Sequence, residues 1–125
     1  MIHYKEISFV AYPVTRMARA RKFYEGVLGL KSNGYAKGRN PKWIEYDLGP
    51  GTLAIGSSPM WKPAKNGASA ALEVMDFDAA VAHLKKRRVK FIVGPFDFPS
   101  CRMFTIRDPD GNKISLHQRK PRRAK

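Results

Sequence analysis

Apolar residues recur along this chain with two periods, one of two residues and one near 3.6, and the switches between them predict the elements. Residues 5–14 (KEISFVAYPV) are β-branched and aromatic and read as a strand. Thr15 is placed to cap a helix running to about Leu28. Ala20, Phe23, Tyr24, Val27 and Leu28 share one face of it, and Gly29 supplies the stop. Residues 30–35 predict a short strand ending at Asn33-Gly34. Residues 42–48 (KWIEYDL) alternate as a strand, and Gly49-Pro50-Gly51 turns the chain back into a partner strand over 52–56. A Pro/Gly/Ser-rich connection follows, and then the pattern repeats. A strand is predicted over 68–74, then a helix from an Asp76 cap to about Arg88 with Phe77, Ala80, Val81 and Leu84 inward. Strands follow over 90–94, 102–107 and 113–118. Asp108-Pro109-Asp110-Gly111 joins the last two, with Pro and Gly where a type I turn prefers them.

The two predicted helices begin near residues 16 and 77 and the closing strands end near 57 and 118, so both offsets are 61 residues. Two tandem βαβββ units account for this spacing, giving an α+β fold with curved mixed sheets and helices packed outside. The repeat is one of order and spacing, with slight identity between the halves. The expected organisation is a single domain over 1–118, with units at about 1–58 and 68–118, a connection over 59–67 and a basic tail over 119–125.

The net charge of +14 adds less than its size suggests. Lys85, Lys86, Arg87, Arg88 and Lys90 form one acid-free run, and Arg119, Lys120, Arg122, Arg123 and Lys125 form another. A cationic helix end and a solvated tail are the favoured reading of both runs, and a patch for phosphate or a membrane surface is the alternative. They lack the interleaved aromatics and glycines of a nucleic-acid face, so nucleic acid is not the expected partner. No apolar run approaches the roughly 18 residues of a membrane helix, and the N-terminus lacks a signal-peptide core. The single cysteine, Cys101, forms no internal disulfide and is expected to be inert; a cytoplasmic setting is the expectation.

Two segments bring in a family. Residues 21–30 (RKFYEGVLGL) resemble the "FYe-vLG" helix end of the vicinal oxygen chelate superfamily, which includes glyoxalases, bleomycin-resistance proteins and ring-cleaving dioxygenases. Residues 104–117 (FTIRDPDGNKISLH) resemble its "f-DPDGn-iEl" final hairpin. The resemblance spans nearly the whole chain except the tail, and implies two half-open sheets with ligands in the hollow. Its enzymes hold a divalent metal on His, Glu or Gln from four strands. By that resemblance the ligand positions fall at Phe9, at Ala54 or Ile55, at about Ser69, and at Ser115, where the family has Glu. No His or Glu flanks Phe9 or Ala54, and Glu73 lies four residues past Ser69, so neither metal nor other cofactor is expected.

Other side chains remain as candidates. His117 shares a strand face with Ser115 and suits a general base or a ligand hydrogen bond, or simply ends the strand. Trp43 and Glu45 share a face. If it is the concave one, Glu45 is an acid/base candidate beside an aromatic wall, whereas the opposite parity turns Ile44 and Tyr46 inward. Met60 and Trp61 are apolar groups in a polar connection, suited to a lid or to plugging a junction or dimer contact. Met103, with Phe96 and Phe98, lines a second hollow or belongs to the core. The proposed ligand contacts are therefore Phe9, Trp43, Ile55, Trp61, Met103 and Ser115. The expected function is metal-independent binding of a small organic molecule by a homodimer. The alternative is a lyase or isomerase acting through His117 or Glu45.

Overall fold

The computed structural model describes residues 1–34, 36 and 38–121. The chain divides into two compact units, residues 1–63 and 64–125.

In the first unit, β1 (Phe9–Pro13) runs parallel to β3 (Gly51–Gly56), and β2 (Trp43–Leu48) pairs with β3 antiparallel, giving the order β1-β3-β2. β1 is shorter than the sequence pattern suggests, because residues 1–8 form no ladder. The segment predicted as a strand over 30–35 is reduced to one bridge, Ser32 to Tyr46, with the Asn33 amide bonded to the Glu45 carbonyl. Tyr35 lies outside the described residues.

Helix α1 (Met17–Arg21) continues without a break as a π-helix over Lys22–Val27. Its cap differs from expectation. Arg16 occupies the N-cap in extended geometry with no side-chain cap bond, while Thr15 Oγ1 accepts from the Arg19 guanidinium. The end is as the sequence indicates. Gly29, at φ 74°, takes the left-handed position that a side chain would strain, and the Leu30 amide reaches back to the Tyr24 carbonyl. Ala20, Phe23 and Tyr24 are buried, as are Tyr12, Ile44, Tyr46, Leu53 and Ile55 of the sheet. Tyr24 stacks on Tyr46 at 6.1 Å, and Tyr46 donates its hydroxyl to Glu25, which also takes the Arg21 guanidinium at 2.6 Å.

The second unit is more complete. β4 (Ala70–Glu73), β5 (Val93–Asp97), β6 (Cys101–Arg107) and β7 (Lys113–Arg119) form a sheet in the order β4-β7-β6-β5, with α2 (Phe77–Lys86) on one face. Asp76 caps α2 as expected, its carboxylate accepting from the Ala79 amide at 3.0 Å. Phe77, Leu84, Phe104, Ile106, Ile114 and Leu116 make the core, and Phe91 stacks flat on Phe104 at 4.4 Å. That stacking explains why β5 starts three residues later than the pattern of 90–94 suggests. Phe91 is half-buried on Phe104 and Ile92 bonds its amide to the Thr105 carbonyl ahead of the strand, and the register then breaks between Val93 and Phe96.

The Asp108–Gly111 turn closes with a Gly111 amide to Asp108 carbonyl bond. The Asp108 carboxylate accepts from the amides of Asp110 and Asn112 and from the Asn112 side chain. This part of the family-like motif is structural. Arg119 closes β7 rather than opening a tail, and Lys120 pairs with Asp97; residues 122–125 lie outside the described residues.

Candidate functional site

On β3 the alternation separates Leu53 and Ile55 from Thr52, Ala54 and Gly56. The first pair faces the helix; the second set is small and faces away. Register then brings Phe9, Ala11 and Pro13 of β1 and Trp43, Glu45 and Asp47 of β2 onto that small-residue face. Of the two parities left open for β2, this one puts Trp43 and Glu45 together outside the core, with Ile44 and Tyr46 buried.

Small residues on a central strand let large ones from its neighbours meet across it. Phe9 packs edge-on against Trp43 at 5.5 Å, and Trp61 stacks on Trp43 at 6.5 Å, 27° from parallel. Gly56 is the floor of the pair: a Cβ there would lie 2.9 Å from both indoles. The three rings keep 51%, 37% and 36% of their surface exposed for Phe9, Trp43 and Trp61. Trp61 reaches its partner from a tight turn, its amide bonded to the Ser58 carbonyl, whereas Met60 stands in solvent.

Glu45 is fixed beside this wall. Trp43 Nε1 donates to one carboxylate oxygen at 2.8 Å and Asn33 Nδ2 to the other at 3.0 Å. Asp47 accepts from Thr52 Oγ1 at 2.8 Å. With a donor on each oxygen, Glu45 orients Trp43 and gives the face a negative edge, in a chain that is basic overall.

In the second unit, the face away from α2 carries Ala71 and Glu73 of β4, Met103 and Thr105 of β6, and Ser115 and His117 of β7. Ser115 and Thr105 are both buried and share a 2.7 Å hydroxyl bond. His117 Nδ1 lies 2.6 Å from Glu73 Oε1, and the Arg119 amide donates to the other oxygen of Glu73 at 2.6 Å. Partial desolvation works to raise the Glu73 carboxyl, but the Arg119 amide and His117 outweigh it and hold it below the ordinary glutamate range.

The sequence-predicted residues therefore separate into groups. Phe9, Trp43, Glu45 and Trp61 come together in the first unit; Met103, Ser115 and His117 share a face in the second. Ile55 does not join the first group: it is fully buried on the opposite face beside Tyr12 and Ile44, and Ala54, itself buried, occupies the position on the face of Trp43 and Glu45. Ser69 precedes β4, and the residue opposite Ser115 is Ala71. Asn33, Gly56 and Glu73 were not singled out for the site by sequence. Gly56 carried a legible signal, a glycine ending a strand five residues before a tryptophan.

The donor set can be tested for the metal that the resemblance implies. Phenyl at Phe9, methyl at Ala54 and Ala71, and the Ser115 hydroxyl already bonded to Thr105 supply no nitrogen or carboxylate ligand, so these residues do not fit it. Among the described residues no group of three or more His, Cys, Asp or Glu is placed to hold a metal ion.

Two mixed sheets of three and four strands, each with one helix, define an α+β protein of the glyoxalase-like class. The chain belongs to the Glyoxalase/Bleomycin resistance protein/Dioxygenase superfamily, whose sequence profile matches residues 6–116. Among solved structures it is similar to TnmS3, an antibiotic binding protein from Streptomyces sp. CB03234, with 26% identity and a TM-score of 0.77 over 96% of this chain and 100% of that one. A glyoxalase/bleomycin resistance protein from the same Streptomyces is 27% identical, with a TM-score of 0.73 over 90% of this chain and 100% of its own. A glyoxalase family protein from Bacillus anthracis shares the fold at 24% identity, with a TM-score of 0.76 over 96% and 100%. No curated protein matches the sequence. No helix among the described residues is long and apolar enough to cross a membrane.

Proposed function

We propose that this protein binds a planar aromatic small molecule on the Phe9–Trp43–Trp61 wall, without a resident metal and without bond chemistry at that face. The observation that carries the reading is the wall itself. Three large rings are held in fixed mutual geometry over a glycine floor, yet are left partly exposed, with Glu45 spent on orienting one of them. Buried aromatic clusters serve packing; an ordered, exposed one costs stability unless something covers it. The similarity to an antibiotic binding protein supports an antibiotic-like ligand. The carboxylates of Glu45 and Asp47 beside the rings admit cationic aromatic compounds as well as neutral ones, although the chain is basic overall. The protein is proposed to act in the cytoplasm as a homodimer, a reading supported by the exposed Phe9 and Val10 of β1, an edge strand of its sheet, and by the exposed Tyr4 and Ile7 in the segment before it.

Both tryptophans of the chain belong to the wall, so selectively excited tryptophan fluorescence reports on it alone. Titration with fused-ring antibiotics and metabolites should give saturable quenching, with a melting-temperature rise reflecting about 2–4 kcal/mol at large ligand excess. A panel that neither quenches nor stabilises would overturn the reading. Stoichiometric Zn, Ni, Mn or Fe in the purified protein would overturn its metal-free part.

A further inference from the structure

The Glu73–His117 pair is not used by the aromatic wall, and its geometry is that of an oriented base. Glu73 engages Nδ1 of His117 and is itself fixed by the Arg119 amide, so the imidazole is held in one tautomer with Nε2 as its unengaged nitrogen. His117 also lines an open hollow together with Pro99, Ser100, Arg119, Lys120 and Pro121, and Glu73 is not among the lining residues. Nε2 is therefore the ring nitrogen left for that hollow. The titratable groups around the ring are Glu73 on β4, Cys101 on β6, and Arg119 and Lys120 at the end of β7, with Asp97 of β5 paired to Lys120.

From this arrangement we propose that the second unit carries its own binding site, for a small molecule with an acidic hydroxyl, a phenol or an enol, which His117 deprotonates on binding. The proton leaves the ligand oxygen for Nε2, the O–H electron pair stays on that oxygen, and nothing else is made or broken. The imidazolium so formed lies against the Glu73 carboxylate, and the ligand anion lies in a hollow that Arg119 and Lys120 help to line. Two proline rings give the hollow apolar sides that suit the body of such a ligand. This site goes beyond the proposed function and stands or falls separately from it.

The probe is p-nitrophenol, whose yellow phenolate reports proton transfer directly. At a pH just below its own ionisation, wild-type protein in excess should raise phenolate absorbance saturably without changing tryptophan emission. His117→Ala and His117→Gln should abolish the signal. Glu73→Gln should weaken the affinity roughly tenfold, through loss of a charge-assisted hydrogen bond to the imidazole, with partial recovery in Glu73→Asp. Circular dichroism identifies any variant that fails to fold, and the two His117 variants serve as replacements for each other. Wild type giving no more phenolate than His117→Ala overturns the proposal. So does a signal that is lost in Trp43→Ala rather than in the His117 variants, because the probe would then sit on the first unit's wall.

Discussion

Replacing Gly56 with alanine tests the aromatic wall with a single methyl group. The new Cβ would sit 2.9 Å from Trp43 Cε3 and from Trp61 Cζ3, and 3.2 Å from Trp43 Cζ3, against the roughly 3.5–4.0 Å of ordinary carbon contact. The backbone has no reason to move, because both clashing groups are the exposed ends of side chains. The indoles must swing away instead. Trp43 is pinned by its 2.8 Å bond to Glu45 and by the edge of Phe9, so its retreat costs an off-rotamer angle or that bond, about 1 kcal/mol. Loss of the Trp43–Trp61 stack adds about 0.5–1.5 kcal/mol. Lower chain entropy in the unfolded state returns about 0.4–1 kcal/mol. The net destabilisation should be about 1 kcal/mol, a few degrees in melting temperature. Ligand affinity should fall further, by about 1–3 kcal/mol, or roughly 5- to 150-fold, because stacking contacts are lost. Gly51→Ala is the control on the same strand, since its Cβ meets nothing closer than 4.0 Å. Fluorescence titration and thermal denaturation of the three proteins give both numbers. An unchanged dissociation constant in Gly56→Ala would refute the wall as the ligand site.

Other perturbations have equally definite outcomes. Arg88 follows the C-cap of α2 at φ 60°, a conformation that costs a side chain about 1 kcal/mol, so Arg88→Gly should raise the melting temperature by a few degrees. Asp108→Ala removes a buried carboxylate that satisfies two amides and the Asn112 side chain; it should cost about 2–3 kcal/mol in denaturant unfolding. Burial works to raise the Glu25 carboxyl, but its bonds from Arg21 and Tyr46 outweigh this and leave it below the ordinary value of 4.5. The unfolded chain then binds more protons in acid, so this contribution is present above about pH 4.5 and is lost as the pH falls below it. Glu25→Gln should flatten that part of a stability-against-pH profile, and an unaltered slope would show the network to be inert.

How much of this was legible in the sequence depends on the range of the interaction. Local patterns carried far: Asp76 capping α2, Gly29 ending the first helix and the Asp108–Gly111 turn are each set within a few residues. Alternation established that Trp43 and Glu45 share a face. Which face lies outside the core required knowing that β3 runs between β1 and β2 and turns Ile55, not Ala54, toward Tyr12. The Glu73–His117 pair depends on parallel register between strands 44 residues apart, and no local pattern records such a register. The strand expected over 30–35 fell to a single bridge where Asn33 directs its side chain to Glu45 and Asp47. The strand expected over 90–94 begins three residues later, because an apolar run does not say whether its side chains enter a ladder or pack on a neighbour; Phe91 packs on Phe104.

The Ser115–Thr105 bond has an evolutionary consequence. Restoring the carboxylate that the family carries at 115 would bury a negative charge at a site only 4% exposed, with a hydroxyl for company and no cation to meet it. A histidine at 54 would fare no better, entering a position with no exposed surface whose cross-strand neighbours are Ala11 and Glu45. Each step back toward metal ligation lowers stability before any ion can compensate. On the proposed metal-free reading, the packed small residues and hydroxyls thus work as a ratchet: single substitutions toward a chelate are penalised before an ion can bind.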